Sequence, residues 1–297
     1  MKYLRQHKWL YIFLIPGFLY LLIFKYAPMF GIAIAFKDFN FVRGIWGSDW
    51  IGFDNFRYLV ASDHFFRVLR NSLLLSLYQI VWGFPAPIVV ALMLNEIRHM
   101  LFKKVTQTVL YLPHFISWVV LAGIVSNFLS PSTGLFNFVV SFFGFEKIPF
   151  LLKPEYFRTI IVSAEVWKEV GWGTIIYLAA MTGVDPTLYE SATIDGASRL
   201  QKIRYITLPG ISATIVILLL LKLGNILDNG FEQVYLLYNP MTYETGDVFE
   251  TYTYRIGLQD GRLSYATAVG LFKSAVGFVL IIAANFAARR ISGKSIW

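Results

Sequence analysis

The sequence predicts an all-α membrane protein: six transmembrane helices, with a short polar helical hairpin between helices four and five. Three observations carry this reading. The 297 residues are 57% hydrophobic and 18% aromatic but only 15% charged, and the mean hydropathy is +0.58. A soluble domain carries about 25% charged residues, so this chain has too little polar surface to cover a globule. Six apolar runs, each near the ~20 residues that cross a bilayer core, fall at 9–36, 71–94, 105–129, 159–181, 211–227 and 266–288. A polar island, 182–210, separates the fourth run from the fifth. Residues 1–297 read as one transmembrane domain.

The first run is long and holds Pro16 and Pro28, so a tilt or kink is expected. Its flank, Lys2-Tyr3-Leu4-Arg5, resembles the charged end of a signal peptide. The apolar stretch is too long for one, and an uncleaved signal anchor is expected.

Charge by side sets the orientation. With the N-terminus cytoplasmic, the inner segments hold twelve basic and four acidic residues, and the outer segments ten and twelve. Five of the outer cations lie in the long first outer loop, and such loops translocate largely regardless of charge. Both termini and the island are therefore expected in the cytoplasm, in a multi-pass membrane protein. The net charge of +8 follows from this topology rather than from nucleic-acid binding. The outer loops 37–70, 130–158 and 228–265 are too aromatic for disordered linkers. They suit a protein partner or a sugar-like ligand, or simply cap the bundle. A short helix is expected after Gly134.

Signatures of catalysis are missing. Ser292-Gly293-Lys294-Ser295 ends like a phosphate-binding loop, but position 288 is alanine where the first glycine belongs. His7, His64, His99 and His114 lack metal-ligand spacing, and there is no cysteine. No metal or catalytic residue is expected.

The island itself is patterned. Asp185-Pro186 places an N-cap before a proline at the first helical position, and this starts a helix through about Ile194. Gly196 allows a sharp reversal. Ser198 and Gln201 have the spacing of a capping box, which starts a second helix through about Tyr205. Pro209 then opens the next apolar segment. The two small helices are expected to run on from the fourth and fifth membrane helices as a rigid element. Glu190-Ser191-Ala192, three residues, Gly196, nine residues and Ile206-Thr207-Leu208-Pro209 together resemble the cytoplasmic coupling loop of binding-protein-dependent ABC importers. YLPHFIS, WKEVGWGTIIYLAAMTGVDPTLYESATIDGA and TYTYRIGLQDGRLSYATAVGLFKS look like the carbohydrate-uptake branch, similar to maltose permeases and closest to its oligosaccharide and polysaccharide-fragment members. Ser191 departs from the alanine usual at that place.

The resemblance implies a permease subunit of an ATP-driven oligosaccharide importer in a bacterial plasma membrane. It implies a heterodimer with a second homologous permease, a cytoplasmic ATPase dimer that carries ATP and Mg, and an extracytoplasmic sugar-binding protein. Glu190, Ser191, Ala192, Asp195, Gly196, Leu208 and Pro209 would then couple to the ATPase. The alternative is a secondary transporter or channel working without an ATPase, which predicts an inverted repeat with matching broken helices, and no such pairing is visible. A receptor or scaffold would not need the coupling-loop spacing.

A substrate path is expected at the outer ends of the fourth and fifth helices. Trp167 and Trp172 offer ring faces, and Asn225, Asp228 and Gln233 offer hydrogen-bond partners. Tyr177 is a ring better suited to packing. Lys25, Glu165, Lys168, Glu169, Lys222 and Lys273 lie within the apolar runs, at a similar height if counted at ~1.5 Å per residue. Intramembrane charges mark a pathway or a pairing network. The excess of lysine here fits an acidic sugar, while snorkelling lysines and a purely structural network are the competing readings.

Overall fold

The structure is a computed structural model and describes residues 7–292. The Lys2–Arg5 flank and the Gly293-Lys294-Ser295 tail lie outside the described residues.

Helices dominate, as the all-α reading expects, with a two-residue antiparallel ladder besides. Its strands are β1 (Lys37–Asp38) and β2 (Asp49–Trp50), with Lys37 opposite Trp50. Helix α1 (Lys8–Phe36) precedes it. The helix contains Pro16, loosens into a π turn at Leu22–Tyr26 and tightens to 3-10 geometry from Ala27. After α2 (Asp54–Ala61) come α3 (Asp63–Asn95), α4 (Met100–Phe115) and α5 (Trp118–Phe128). Next are α6 (Leu135–Phe142), capped by Gly134 as expected, and α7 (Pro154–Thr182). The island forms α8 (Pro186–Ile194) and the start of α9 (Arg199–Gly224). The chain closes with α10 (Phe231–Leu237), α11 (Phe249–Tyr254) and α12 (Leu263–Ser292).

Among the described residues four helices, α1, α3, α9 and α12, are long and apolar enough to cross a membrane, or five if the bent pair α4/α5 is one span. Helix α7 is 29 residues, about 44 Å. Every stretch of it long enough to span contains Glu165, Lys168 and Glu169. Composition alone therefore sets it apart.

Three details differ from the sequence reading. The third run is broken, with α4 and α5 at 101° to each other. Pro113 ends α4 in a 3-10 turn, and Ser117 restarts the chain as an N-cap, its Oγ accepting the Val120 N–H at 3.4 Å. Helix α9 starts at Arg199 and ends at Gly224, so Pro209 lies inside one rod rather than opening a segment. A π turn at Ile203–Thr207 comes just before it and spares the proline ring a clash with the preceding turn. Helix α8 does not run on from α7; a turn at Gly183 and a bend at Val184 separate them.

The chain divides into two compact units, 1–63 with 253–272, and 64–252 with 273–297. In the first, the Phe36 ring stacks on Trp50 at 5.6 Å, and Asn55 donates to the Ala35 carbonyl at 2.8 Å. The Arg262 guanidinium lies 5.1 Å from the Tyr58 and Tyr265 ring centres. No side chain of the stretch Lys8–Leu21 is buried, so its apolar surface is left for lipid or another subunit.

The second unit is built on α7. Phe157, Ile161 and Val162 pack with Leu75, Ala122, Val234, Leu237 and Val248. Nearer its other end, Tyr177 and Met181 pack with Ala91 and Ile211. Between these clusters α7 meets α4 at Gly171, where an added Cβ would sit 1.9 Å from the Leu110 carbonyl oxygen. Gly171→Leu should therefore force the helices apart, at a cost of about 1–3 kcal/mol or more. Thermal unfolding of the purified protein should show a lower midpoint than Gly123→Leu, a site with open space around it.

Candidate functional site

Glu165, Lys168, Glu169 and Trp172 recur on α7 at steps of three and four, which places them along one helical face. Lys168 is buried, and its Nζ donates to the His114 carbonyl at 2.5 Å. It also lies 3.5 Å from Glu169 Oε1 and 5.9 Å from the Trp118 ring centre. The His114 imidazole completes the arrangement. Its Nδ1 is 2.8 Å from Glu169 Oε2, and its ring stacks on Trp172 at 4.4 Å. The carbonyls that end α4 carry the negative end of that helix, so an ammonium stabilises them. Residues of α7 thus hold the α4/α5 break.

One turn away, Glu165 Oε1 meets Lys222 Nζ of α9 at 3.4 Å, and Gln79 of α3 lies beside the same carboxylate. Gln79 opens a π turn, Gln79–Gly83, a distortion that re-aims side chains and is frequent at functional sites. Glu165 Oε2 is buried without a hydrogen-bond partner among the described residues. These groups wall a cavity of about 280 Å³ whose lining includes Gln79, Glu165, Glu169, Trp172, Tyr177 and Lys222.

The expected path residues do not all share this cavity. Trp167 lines a separate apolar cavity of about 440 Å³ with Leu121, Phe128 and Tyr156. Asn225 and Asp228 line a third, of about 200 Å³, beside Lys273, whose ammonium pairs with Glu250. Gln233 is buried, and its amide donates to the Asn229 carbonyl. Lys25 is exposed on α1. Trp172, Glu169 and Lys222 do converge, Lys168 sits behind them, and Tyr177 packs in the core while reaching the cavity wall. Sequence reasoning missed His114 and Gln79. The one available signal was that His114 follows Pro113 in an apolar run, where a break brings a polar ring to a helix end.

The island has the expected caps. Asp185 accepts the Thr187 N–H at 2.9 Å, and that bond holds its carboxyl below the usual carboxylate range. The cap is thus formed at neutral pH and fades as the pH falls through the depressed value. Ser198 and Gln201 form the reciprocal capping box. Between them Gly196 adopts φ +76°, which a side chain rarely tolerates. Tyr189 Oη meets Thr207 Oγ1 at 2.9 Å, and Lys202 Nζ donates to Thr193 Oγ1 at 2.7 Å, so the hairpin is tied along its length. Glu190, Ser191, Asp195, Gly196 and Pro209 are exposed, while Ala192 and Leu208 are half-buried. Ile194 and Leu200 are 87% and 74% exposed, a bare apolar pair at the hairpin tip. Ser198→Ala should cost about 1 kcal/mol and speed amide exchange at residues 199–202, with the membrane helices unaffected.

Residues 64–293 match the family model described as binding-protein-dependent transport system inner membrane component. The chain belongs to this family. It is a membrane permease of the ATP-binding-cassette type. This permease is 46% identical to Protein LplB of Bacillus subtilis over 100% of the chain and 93% of the relative. It is 48% identical to the polygalacturonan/rhamnogalacturonan transport system permease protein YteP of the same organism, over 98% of the chain and 91% of the relative. Among solved structures it resembles a chain of a bacterial ABC transporter that imports the acidic polysaccharide alginate, with 47% identity, TM-score 0.91 and 98% of each chain covered. A chain of a bacterial alginate ABC transporter in complex with an alginate pentasaccharide-bound periplasmic protein matches with 46% identity, TM-score 0.92 and 99% of each covered.

Proposed function

We propose that this permease forms the membrane path of an ATP-driven importer for oligosaccharides cut from acidic, uronate-containing polysaccharides. One observation carries the reading. The charged cavity, with Lys222 and Trp172 on its wall, lies in a chain that matches an alginate importer subunit over 98% of its length. YteP, named for polygalacturonan and rhamnogalacturonan, supports the same substrate class. The whole chain acts as one permease domain of six spans, α7 and the bent α4/α5 pair included, with both termini and the hairpin in the cytoplasm. It works with a second permease, an ATPase dimer that binds ATP and Mg, and an extracytoplasmic sugar-binding protein. Glu190, Ser191, Ala192, Asp195, Gly196, Leu208 and Pro209 form the ATPase-facing element. Competition for uptake in cells expressing the whole system tests the substrate class. Uronate trisaccharides should displace a labelled uronate substrate, and neutral trisaccharides of equal length should not. Equal displacement by both would sink the acidic-substrate reading.

A further inference from the structure

The ionisable groups on the wall of the 280 Å³ cavity are unequally engaged. Glu169 is taken up by His114 and Lys168. Lys168 is not on the wall, and its side chain is only 8% exposed. Among the described residues the wall therefore offers one lysine or arginine, Lys222, with its side chain 38% exposed. Its contact with Glu165, at 3.4 Å, is longer than the ~2.7–2.9 Å of a tight charge-assisted bond. An ammonium has three donors, and this pairing occupies one. Glu165 sits on the same wall with its side chain only 17% exposed, held between Lys222 and Gln79. The Trp172 ring lines the same cavity and is 45% exposed. A cation and a ring face are what a uronate pyranose needs for its carboxylate and its apolar face.

Given the acidic-sugar reading above, on which this rests, we propose that Lys222 reads the substrate carboxylate and that Glu165 is its built-in counter-ion. Glu165 keeps the contact transient. A lone cation in a partly dry cavity would hold a carboxylate tightly, whereas a path must bind strongly enough to admit its cargo and weakly enough to release it. Because Lys222 already has a partner, each arriving carboxylate shares the ammonium and then leaves it to Glu165. The two residues therefore predict opposite faults. Losing Lys222 removes recognition, and losing Glu165 removes release.

The complete complex in proteoliposomes, supplied with saturating binding protein loaded with a labelled uronate trisaccharide, separates the two. Lys222→Gln should lower uptake about tenfold or more while loaded binding protein still stimulates ATP hydrolysis, and Lys222→Arg should retain most uptake. Glu165→Gln should also slow uptake, but with label retained on the purified complex through gel filtration, where the wild type releases it. If Lys222→Gln fails to assemble, the neutral double variant Glu165→Gln/Lys222→Gln leaves no unpaired charge and should assemble with uptake lost. Wild-type uptake in Lys222→Gln or in the double variant, or equal loss in Lys222→Gln and Lys222→Arg, overturns the proposal. A wild-type complex that imports neutral but not uronate trisaccharides instead overturns the substrate reading before any variant is compared.

Discussion

Gly196→Pro should abolish import while the permease still inserts and assembles with its partner permease. The backbone at Gly196 has φ +76°, and the proline ring fixes φ near −65°, so the reversal between α8 and α9 cannot form. The hairpin's cross-ties, Tyr189 to Thr207 and Lys202 to Thr193, would then lose register. A loose hairpin cannot push on α9, the rod that carries both the second small helix and Lys222. Glu190→Ala leaves the fold alone, since Glu190 is exposed, and removes the charged contact to the ATPase proposed above. It should lower binding-protein-stimulated ATP hydrolysis by about tenfold, the weight of one interfacial charged contact. The chain has no cysteine, so Ile194→Cys, at a site 87% exposed, gives a single-site cross-linking probe. It should couple to the ATPase in the whole complex, and Gly196→Pro should erase the cross-link. Normal uptake and ATP hydrolysis in both Gly196→Pro and Glu190→Ala would reject the coupling role.

Lys168→Met should be strongly destabilising. The ammonium is buried and serves the His114 carbonyl, Glu169 and the Trp118 ring together. Hydrogen bonds to charged groups contribute about 1.5–3 kcal/mol. Removing this one also leaves a helix-end carbonyl without its donor, so a loss near the upper end is expected. The measurement is the thermal midpoint in detergent, compared with the wild type. Equal midpoints for Lys168→Met and the wild type would mean that Lys168 does not hold the α4/α5 break.

Local chemistry made the hairpin readable in the sequence. Asp185, Gly196, and the Ser198 and Gln201 pair each satisfy a backbone requirement within four residues, so their spacing alone locates them. The apolar runs were readable because a bilayer core demands length. The break at Ser117 was not, since the run continues without a change in hydropathy and the bend depends on Lys168 and Glu169, more than fifty residues away. The charged layer showed the same limit. Six ionisable residues stood out in the sequence, but helical height could not say which would meet. The structure pairs Lys222 with Glu165 and sends Lys273 to Glu250, outside the apolar runs. Gln233 had the polarity of a path residue, yet it is buried against Asn229. Pairing across helices is tertiary information, and the period of a single helix does not contain it.

Whether import by this permease is driven by ATP is tested most directly in proteoliposomes holding both permeases and the ATPase. Labelled uronate oligosaccharide is supplied with the binding protein outside, and ATP with Mg is either enclosed or omitted. The expected result is uptake against the sugar gradient only when ATP is enclosed, and its loss when Gly196→Pro replaces the wild-type chain. Uptake that proceeds equally without ATP, follows an imposed ion gradient and survives Gly196→Pro would contradict the account and make the chain a secondary transporter.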